Sequence, residues 1–550
     1  MSLSTSATKS TQFETVAAAR PGLRCHLRLR RFACSLLLAG WACAHAAEPA
    51  SPGLTLGAFS GTRLTLLAID DYALPLRGNL CLYLSKPTVR AEPVLSPSRD
   101  NPQATDAVAT HFYGTVMQDG GKFRMWYYGV GWAGVPNGKD LDTTKLKEGP
   151  VCYAESVDGL HWTKPNLGQV VHGGGSNNNA IALPDTETQG AFVLRDDRDR
   201  DPSRRYKMVY ENRHVSTQFM SVRTATSADG ITWKPGPNSP IAAGIEPSSF
   251  YRHGGLYFIN AQYTRAISEG GHRSGRQGYV WVSTDFDTWQ QEGGESFLLP
   301  ESADPNERGM DRPGLQVHLG VGAFSQGNVL VGLYSQWNAQ PRPGDRFGRG
   351  TTTGDFGLVV STDGQHFREP VKGHVYLSRH ASPAAVIPGV RHQQILQQSG
   401  NGILNVGDET RIYHGRWVNS EKLEDYYAEI GLATLPRDRW GALGLFPRAA
   451  EGAVWTAPVT IGRSGAKVIL NADGTRGMSV EIADADFRLL PEYSGERAGT
   501  TTAADGLDCA VTWAQGSLDP LAGRSVRFRV RLQREGSVDP RLFAMYLTSK

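Results

Sequence analysis

From about residue 109 to residue 440 the apolar positions come in short alternating runs, grouped in pairs around tight turns. The pairs are "HFYGTVMQDGGKFRMWYYG", "AFVLRDDRDRDPSRRYKMVYE", "SSFYRHGGLYFINAQY", "VGAFSQGNVLVGLYSQW" and "GILNVGDETRIYHGRW". Period-two alternation around Asp-Gly, Gly-Gly, Gln-Gly or Gly-Asp predicts antiparallel hairpins. Nowhere does the pattern shift to a long helical period. Downstream of each of the first four hairpins a further strand runs into a Ser-x-Asp turn and resumes on an aromatic: "CYAESVDGLHWTKP", "RTATSADGITWKPG", "VWVSTDFDTWQQ" and "LVVSTDGQHFREP". A fifth copy, "AEIGLATLPRDRW", ends at Trp440 without the Ser-Asp-Gly. Two hairpin strands, one strand before the turn and one after it make four per unit. Five units at a spacing of about 60–70 residues predict a five-bladed β-propeller.

The turn has a readable mechanism. The Asp carboxylate accepts backbone N–H groups, glycine supplies a positive φ, and the aromatic tucks under the neighbouring strands. Asp158, Asp229, Asp285 and Asp363 are therefore expected at the blade periphery with a structural role. Before the repeat, "TRLTLLAIDDYALPL" reads as a strand that helps close the ring. After Gly441 the repeat stops, and "GAVWTAPVTI", "AKVILNADG", "GMSVEIADAD", "CAVTW" and "RSVRFRVRL" read as a small β-sandwich. The expected fold is thus all-β: a propeller over 54–440 followed by a C-terminal sandwich over 441–550. An all-β sandwich whose turns coincide by chance is the competing architecture.

Composition adds the compartment. The segment "RLRRFACSLLLAGWACAHAAEPA" has a basic flank, an apolar run of about a dozen residues and Ala44-His45-Ala46 as a small-x-small cleavage pattern. Residues 1–47 are expected to be a signal peptide, the run being too short for a stable membrane anchor. The mature chain is then exported, to the periplasm or the extracellular space, with no transmembrane segment. Three of the six cysteines leave with the leader, and Cys81, Cys152 and Cys509 lie far apart, which argues against a disulfide framework or a zinc site. A net charge of +3 over 550 residues gives no footprint for nucleic acid. No GxxxxGK[ST] loop is present and no GxGxxG opens a helix after a strand, so no cofactor is expected, and a structural Ca²⁺ or a Na⁺ in the channel is left open. The chain is expected to be a monomer or a small oligomer.

Chemistry in a propeller concentrates at the mouth where the innermost strands begin and the second strands end. The inner strands offer Asp106 and His111, Glu246, Asp311 with Arg312 and His318, and His392 with Asn401. The second strands bring Trp126, Glu211, Gln262, Trp337, Arg416 and Trp417 to the same end. Carboxylates, amides and aromatic faces together suit a carbohydrate, and two carboxylates can act as general acid and as nucleophile or base across a glycosidic bond. Glu246 is the leading candidate, because it opens an inner strand and precedes a proline. Asp311, beside Arg312, is preferred as its partner over Asp106. His111, His318 and His392 lack ligand spacing, so no metal is assigned.

The segments "GGKFRMWYYG", "VCYAESVDGLHWTKPNLG", "RYKMVYE", "SADGITWK" and "LATLPRDRWGALG" resemble the five-bladed propeller glycosidases of glycoside hydrolase families 32 and 43. The tail "KVILNADGTRGMSVEIADAD" to "LFAMYL" is similar to the sandwich that often follows such propellers. The resemblance implies a secreted hydrolase of oligo- or polysaccharides with acids on successive inner strands. Of those acids, only Glu246 falls where the families would place one. Two other functions remain open: a non-catalytic carbohydrate-binding propeller, and a sialidase-like exo-glycosidase.

Overall fold

The computed structural model describes residues 63–550 apart from 135–140, 185–186, 214–219, 240, 265–273, 310–311, 341, 343–349, 386–392, 463–464 and 549–550. The expected leader and two expected site residues, Asp311 and His392, lie outside the described residues. The described chain is all-β, with helical turns of only three residues each.

Five antiparallel meanders follow one another. Their inner strands are Ala109–Asp119, Thr188–Arg195, Glu246–His253, Gly314–Ser325 and the interrupted pair Gln394–Gln397 and Ile403–Val406. Each inner strand packs against the next. The turn Gly400–Gly402 of the fifth touches both the fourth and the first, so the cycle closes. This is the propeller expected from the repeat. Among the described residues a single parallel bridge, Gly354 to Ile395, joins the fourth and fifth meanders.

The Ser-x-Asp turns are built alike. In the second blade Asp229 Oδ1 accepts from Ile231 N and Thr232 N at 2.8 Å each, and Ser227 Oγ lies 2.9 Å from the same oxygen. Gly230, at φ +76°, donates its N–H to Ser227 Oγ, and Trp233 Nε1 donates to the Gly230 carbonyl. The bonds to the aspartate recur around Asp158, Asp285 and Asp363, with Phe286 at φ +72° taking the glycine position in the third copy. In the fourth, Phe367, whose side chain has no N–H to donate, replaces the tryptophan. Three of these turns also fasten a neighbouring blade. Trp126 Nε1 donates to Gly230 O, Tyr413 Oη to Gly159 O and Tyr251 Oη to Gly364 O, each side chain reaching over from the blade before. The turns are therefore staples at the rim.

The sandwich is not purely C-terminal, which corrects the expected boundaries. Arg63–Leu67 pairs with Arg541–Thr548, Leu80–Leu84 with Gly441–Leu445, and Leu76–Gly78 with Glu451–Trp455. The strand expected to close the ring thus belongs to the sandwich, because its partner is the last strand of the chain. Ring closure falls instead to Thr88–Val89, which pairs with Tyr427–Pro436 as the outermost strand of the fifth blade. Ser525–Gln533 alternates buried and exposed residues, and its inward side chains Val526, Phe528, Val530 and Leu532 fill the sandwich core. Trp440, Tyr546 and Leu67 share a second core with the fourth and fifth blades, so sandwich and propeller pack as one body.

A carboxylate-lined cavity at the channel mouth

Four of the five inner strands carry a β-bulge at the same level. The register slips between His111 and Thr115, Gln189 and Ala191, Pro247 and Ser249, and His318 and Val321. The fifth inner strand breaks at the Gly400–Gly402 turn. A bulge bends its strand and re-aims the side chains beside it. The glycines at these points tolerate what a side chain would not: Gly190 is at φ +69° and Gly320 at φ +80°. The backbone groups freed by the bulges are taken up by side chains from other blades. Asn260 Oδ1 accepts from Val321 N, Thr115 Oγ1 accepts from Val193 N, and Asn401 bonds both backbone groups of Phe250 at 2.8 Å. This polar layer plugs the channel, and the cavity sits on top of it.

The cavity has a volume of about 190 Å³ and is walled by side chains from all five blades. Three of them are carboxylates: Glu148, Glu211 and Glu246. Gln262 Nε2 donates to Glu246 Oε2 and Gln189 Nε2 to Glu148 Oε2, so two of the three are held by amides. Glu211 is only 4% exposed. Arg276 is the one cation among the described lining residues, and its guanidinium lies 4.6 Å from the Trp337 ring centroid. Tyr113, Tyr128, Tyr426, Trp337 and Trp417 complete the wall.

Two histidines fix two of those tyrosines. Arg276 Nη1, which can only donate, lies 2.9 Å from His318 Nδ1. The proton of His318 is therefore on Nε2, which donates to Tyr113 Oη at 2.9 Å. Burial and the Arg276 charge push the His318 pKa well below its ordinary value, so the ring stays neutral. His111 repeats the arrangement: Gln397 Nε2 donates to its Nδ1 at 2.7 Å, and its Nε2 lies 2.9 Å from Tyr426 Oη. Burial pushes the pKa of His111 down to about 3. Both phenols thus accept a hydrogen bond from a neutral imidazole and keep their own protons. Burial, above all, lifts the pKa of Tyr113 well above the usual phenol value.

Comparisons with known proteins add the following. No protein-family model matches the chain. An uncharacterized protein of Mycobacterium tuberculosis is 32% identical over 123 residues, which is 22% of this chain and 33% of that protein. The chain therefore spans about a third of the length of the curated relatives it matches. Among solved structures, a glycosyl hydrolase from Bacteroides ovatus is 15% identical with a TM-score of 0.40, covering 68% of this chain and 97% of the other. A glycoside hydrolase family 43 arabinoxylan arabinofuranohydrolase from Bacillus subtilis is 11% identical with a TM-score of 0.33, covering 83% and 99%.

Of the residues expected at the mouth, Glu211, Glu246, His318, Trp337 and Trp417 line the cavity, with Gln262 bonded to Glu246. His111 stands directly behind the wall, stacked on Tyr128 at 4.7 Å. Others are displaced from it. Asp106 is 1% exposed, accepts from Tyr127 Oη at 2.7 Å and pairs with Lys164 at 2.6 Å. Its loop folds inward beneath the first blade, so it is no catalytic candidate. Trp126 is buried between the first two blades, where its N–H fastens the Gly230 turn. Asn401 spends its amide on the channel plug. Arg416 is fully buried, paired with Glu429 and bonded to the Arg90 and Ala91 carbonyls, so it anchors the lead-in to the fifth blade. Arg312 is exposed on a separate cleft with Glu301 and Glu307.

Glu148, Arg276 and Tyr426 were not expected, and they share one signal. Glu148 immediately precedes the buried part of the third strand of blade one, while Arg276 and Tyr426 immediately precede the third strands of blades three and five. In an up-and-down meander the third strand starts at the end where the second finishes, so it also feeds the mouth. Aligning the blades on their third strands finds all three.

Proposed function

We propose that this chain is a glycoside hydrolase that removes a terminal sugar unit, with Glu246 and Glu211 as the working carboxylates. The observation that carries the reading is the convergence of three carboxylates from three blades on one small cavity walled by aromatic rings. Aromatic faces take the C–H surfaces of a sugar, and a carboxyl pair supplies both halves of glycosidic cleavage. Glu246, receiving the Gln262 amide, is suited to the ionised state. It acts on the anomeric carbon, directly or through a water. Glu211, the deeper group, delivers its proton to the departing glycosidic oxygen. Glu148 holds a third negative charge beside the positive charge that develops on the sugar ring. A cavity of about 190 Å³ is below the ~300–1,000 Å³ of clefts for drug-sized ligands, which suits a single sugar at a chain end. The leader-like N-terminus extends the proposal to action outside the cytoplasm.

The test is turnover of a panel of nitrophenyl furanosides and pyranosides and of plant and microbial oligosaccharides. Wild type is expected to hydrolyse at least one of them, and Glu246→Gln and Glu211→Gln to lose that activity. Full activity in both variants overturns the catalytic assignment. Binding without turnover anywhere on the panel favours a carbohydrate-binding propeller instead.

A further inference from the structure

Glu246 and Gln262 face each other across the hairpin of the third blade, so their side chains lie on one side of the sheet. Gln262 reaches further, to the fourth blade, where its Oε1 accepts from the backbone N–H of Leu319 at 3.0 Å. Leu319 stands in the bulge of that blade's inner strand, at φ +58°. A bulky side chain rarely takes this left-handed conformation, and keeping it there costs folding free energy. The bulge is held from several sides. Gly320 packs so closely that a Cβ on it would come within 2.6 Å of the Ala261 backbone. Gln398 Nε2 bonds the His318 and Gly320 carbonyls, and Asn260 Oδ1 accepts from Val321 N. Leu319 itself is buried and lines the cavity. Strain that its surroundings overdetermine, beside a cavity, points to a group that is being aimed.

The Leu319 N–H can only donate, so it fixes which way round the Gln262 amide sits. The oxygen faces Leu319, and the Nε2 donor is left for Glu246 Oε2. A donor on a carboxyl oxygen favours the charged form, whereas the flipped amide would set a carbonyl oxygen against it and favour the protonated form. A backbone group of the fourth blade thus bears on the charge of a carboxyl group in the third. The other described ionisable groups of the wall pull both ways. Arg276 favours an ionised Glu246, Glu148 and Glu211 oppose it, and His318 is neutral. Tyr113, Tyr128 and Tyr426 are phenols that carry no charge at neutral pH. We propose that Gln262 is the positioning residue that divides the two catalytic roles, keeping Glu246 ionised and so leaving Glu211 as the proton donor. This rests on reading Glu246 and Glu211 as the working pair, and adds what fixes which of them does which.

The experiment reads the charge of Glu246 directly and needs no turnover. The glutamate carboxyl carbons of the full chain are isotope-labelled for NMR, and the Glu246 resonance, identified by its absence from Glu246→Gln, is followed against pH. In Gln262→Glu one oxygen still accepts from Leu319 while the other meets Glu246, and two carboxyl groups sharing a site cannot both ionise freely. The Glu246 titration is therefore expected to move up by about one pH unit or more. Gln262→Met removes the amide at similar length and adds no charge, and a smaller upward move is expected. For a sugar that is hydrolysed, the acid limb of kcat/KM against pH moves up together with the resonance, because that limb reports the essential base of the free protein. A glutamine that served packing alone would lower activity at every pH and leave the limb in place. A Glu246 resonance that titrates as in wild type in both variants overturns the proposal. A resonance that follows the variants with no sugar hydrolysed sinks the hydrolase and leaves the control of Glu246 by Gln262 standing; hydrolysis with an unmoved resonance does the opposite.

Discussion

The rim of the propeller and the mouth of its channel use the same side-chain chemistry to opposite ends. At the rim, Asp229 is closed by its own neighbours: Ser227, Ile231 and Thr232 all lie within three residues of it. At the mouth, Glu148 of the first blade is held by Gln189 of the second, and Tyr113 of the first by His318 of the fourth. A carboxylate whose donors are local is finished when the turn forms, and its contribution is to stability. A polar group whose partners come from other blades is finished only when the ring closes. The difference separates the aspartates that build the fold from the glutamates available for chemistry.

The sharpest way to break this comparison is to exchange effects between the two regions. Glu246→Gln is expected to lower kcat by about 10³-fold or more with little change in melting temperature, since the amide keeps the Gln262 contact while removing the charge. Asp229→Asn should do the reverse, leaving kcat intact and lowering the melting temperature. Loss of kcat in Asp229→Asn with a stable Glu246→Gln protein that still turns over would show that the two regions are assigned the wrong way round.

A second test grades the structural aspartates against each other. Asp438, in the degenerate fifth copy, is 2% exposed and accepts from Gln326, Asn405 and Tyr546, so it ties the fourth blade, the fifth blade and the sandwich together. Asp438→Ala leaves three donors unpaired, the buried Tyr546 hydroxyl among them, and is expected to cost about 3–5 kcal/mol in urea unfolding. Asp229→Ala, in a solvent-facing turn, is expected to cost about 1–2 kcal/mol, as loss of a side-chain cap does. Equal costs would mean that local closure, not cross-blade bonding, sets the value of these groups.

The same contrast explains what could be read from the sequence. The blades were legible because the Ser-x-Asp turn is complete within seven residues, from Ser227 to Trp233. The sandwich strands were legible from their alternation, as in Ser525–Gln533. The pairing of Arg63–Leu67 with Arg541–Thr548 was not, because nothing local distinguishes a partner almost five hundred residues away. At the mouth, Glu246 could be found from its place at the head of an inner strand. Asp106 misled because a polar loop gives no sign that Tyr127 and Lys164 will close over it. Trp126 and Trp417 sit on comparable second strands, yet one fastens a turn and the other faces the cavity. Only the bulges, whose offsets the sequence marks weakly through Gly190 and Gly320, decide which residues turn inward.

The test that reads both regions in a single titration is the loss of stability in acid. Burial depresses the pKa of His111 and of His414 to about 3, from 6.5. Between those values the unfolded chain takes up protons that the folded chain refuses, so stability rises with pH. Their contribution is complete above pH 6.5 and drains away as the pH falls toward 3, by up to about 1.4 kcal/mol per pH unit for each histidine. Asp229 and Asp363 also have lowered pKa values, with burial opposing and the turn hydrogen bonds prevailing. As carboxylates they contribute above the ordinary value of 3.8, and that contribution is lost only below it. Unfolding free energy plotted against pH should therefore fall in two limbs, the buried histidines first and the rim turns second. His111→Gln and His414→Gln should flatten the limb between pH 6.5 and 4, and Asp229→Asn only the limb below it. An upper limb of unchanged slope in both histidine variants would mean that those rings take up protons in the folded state, and that the neutral imidazole behind Tyr426 is wrong.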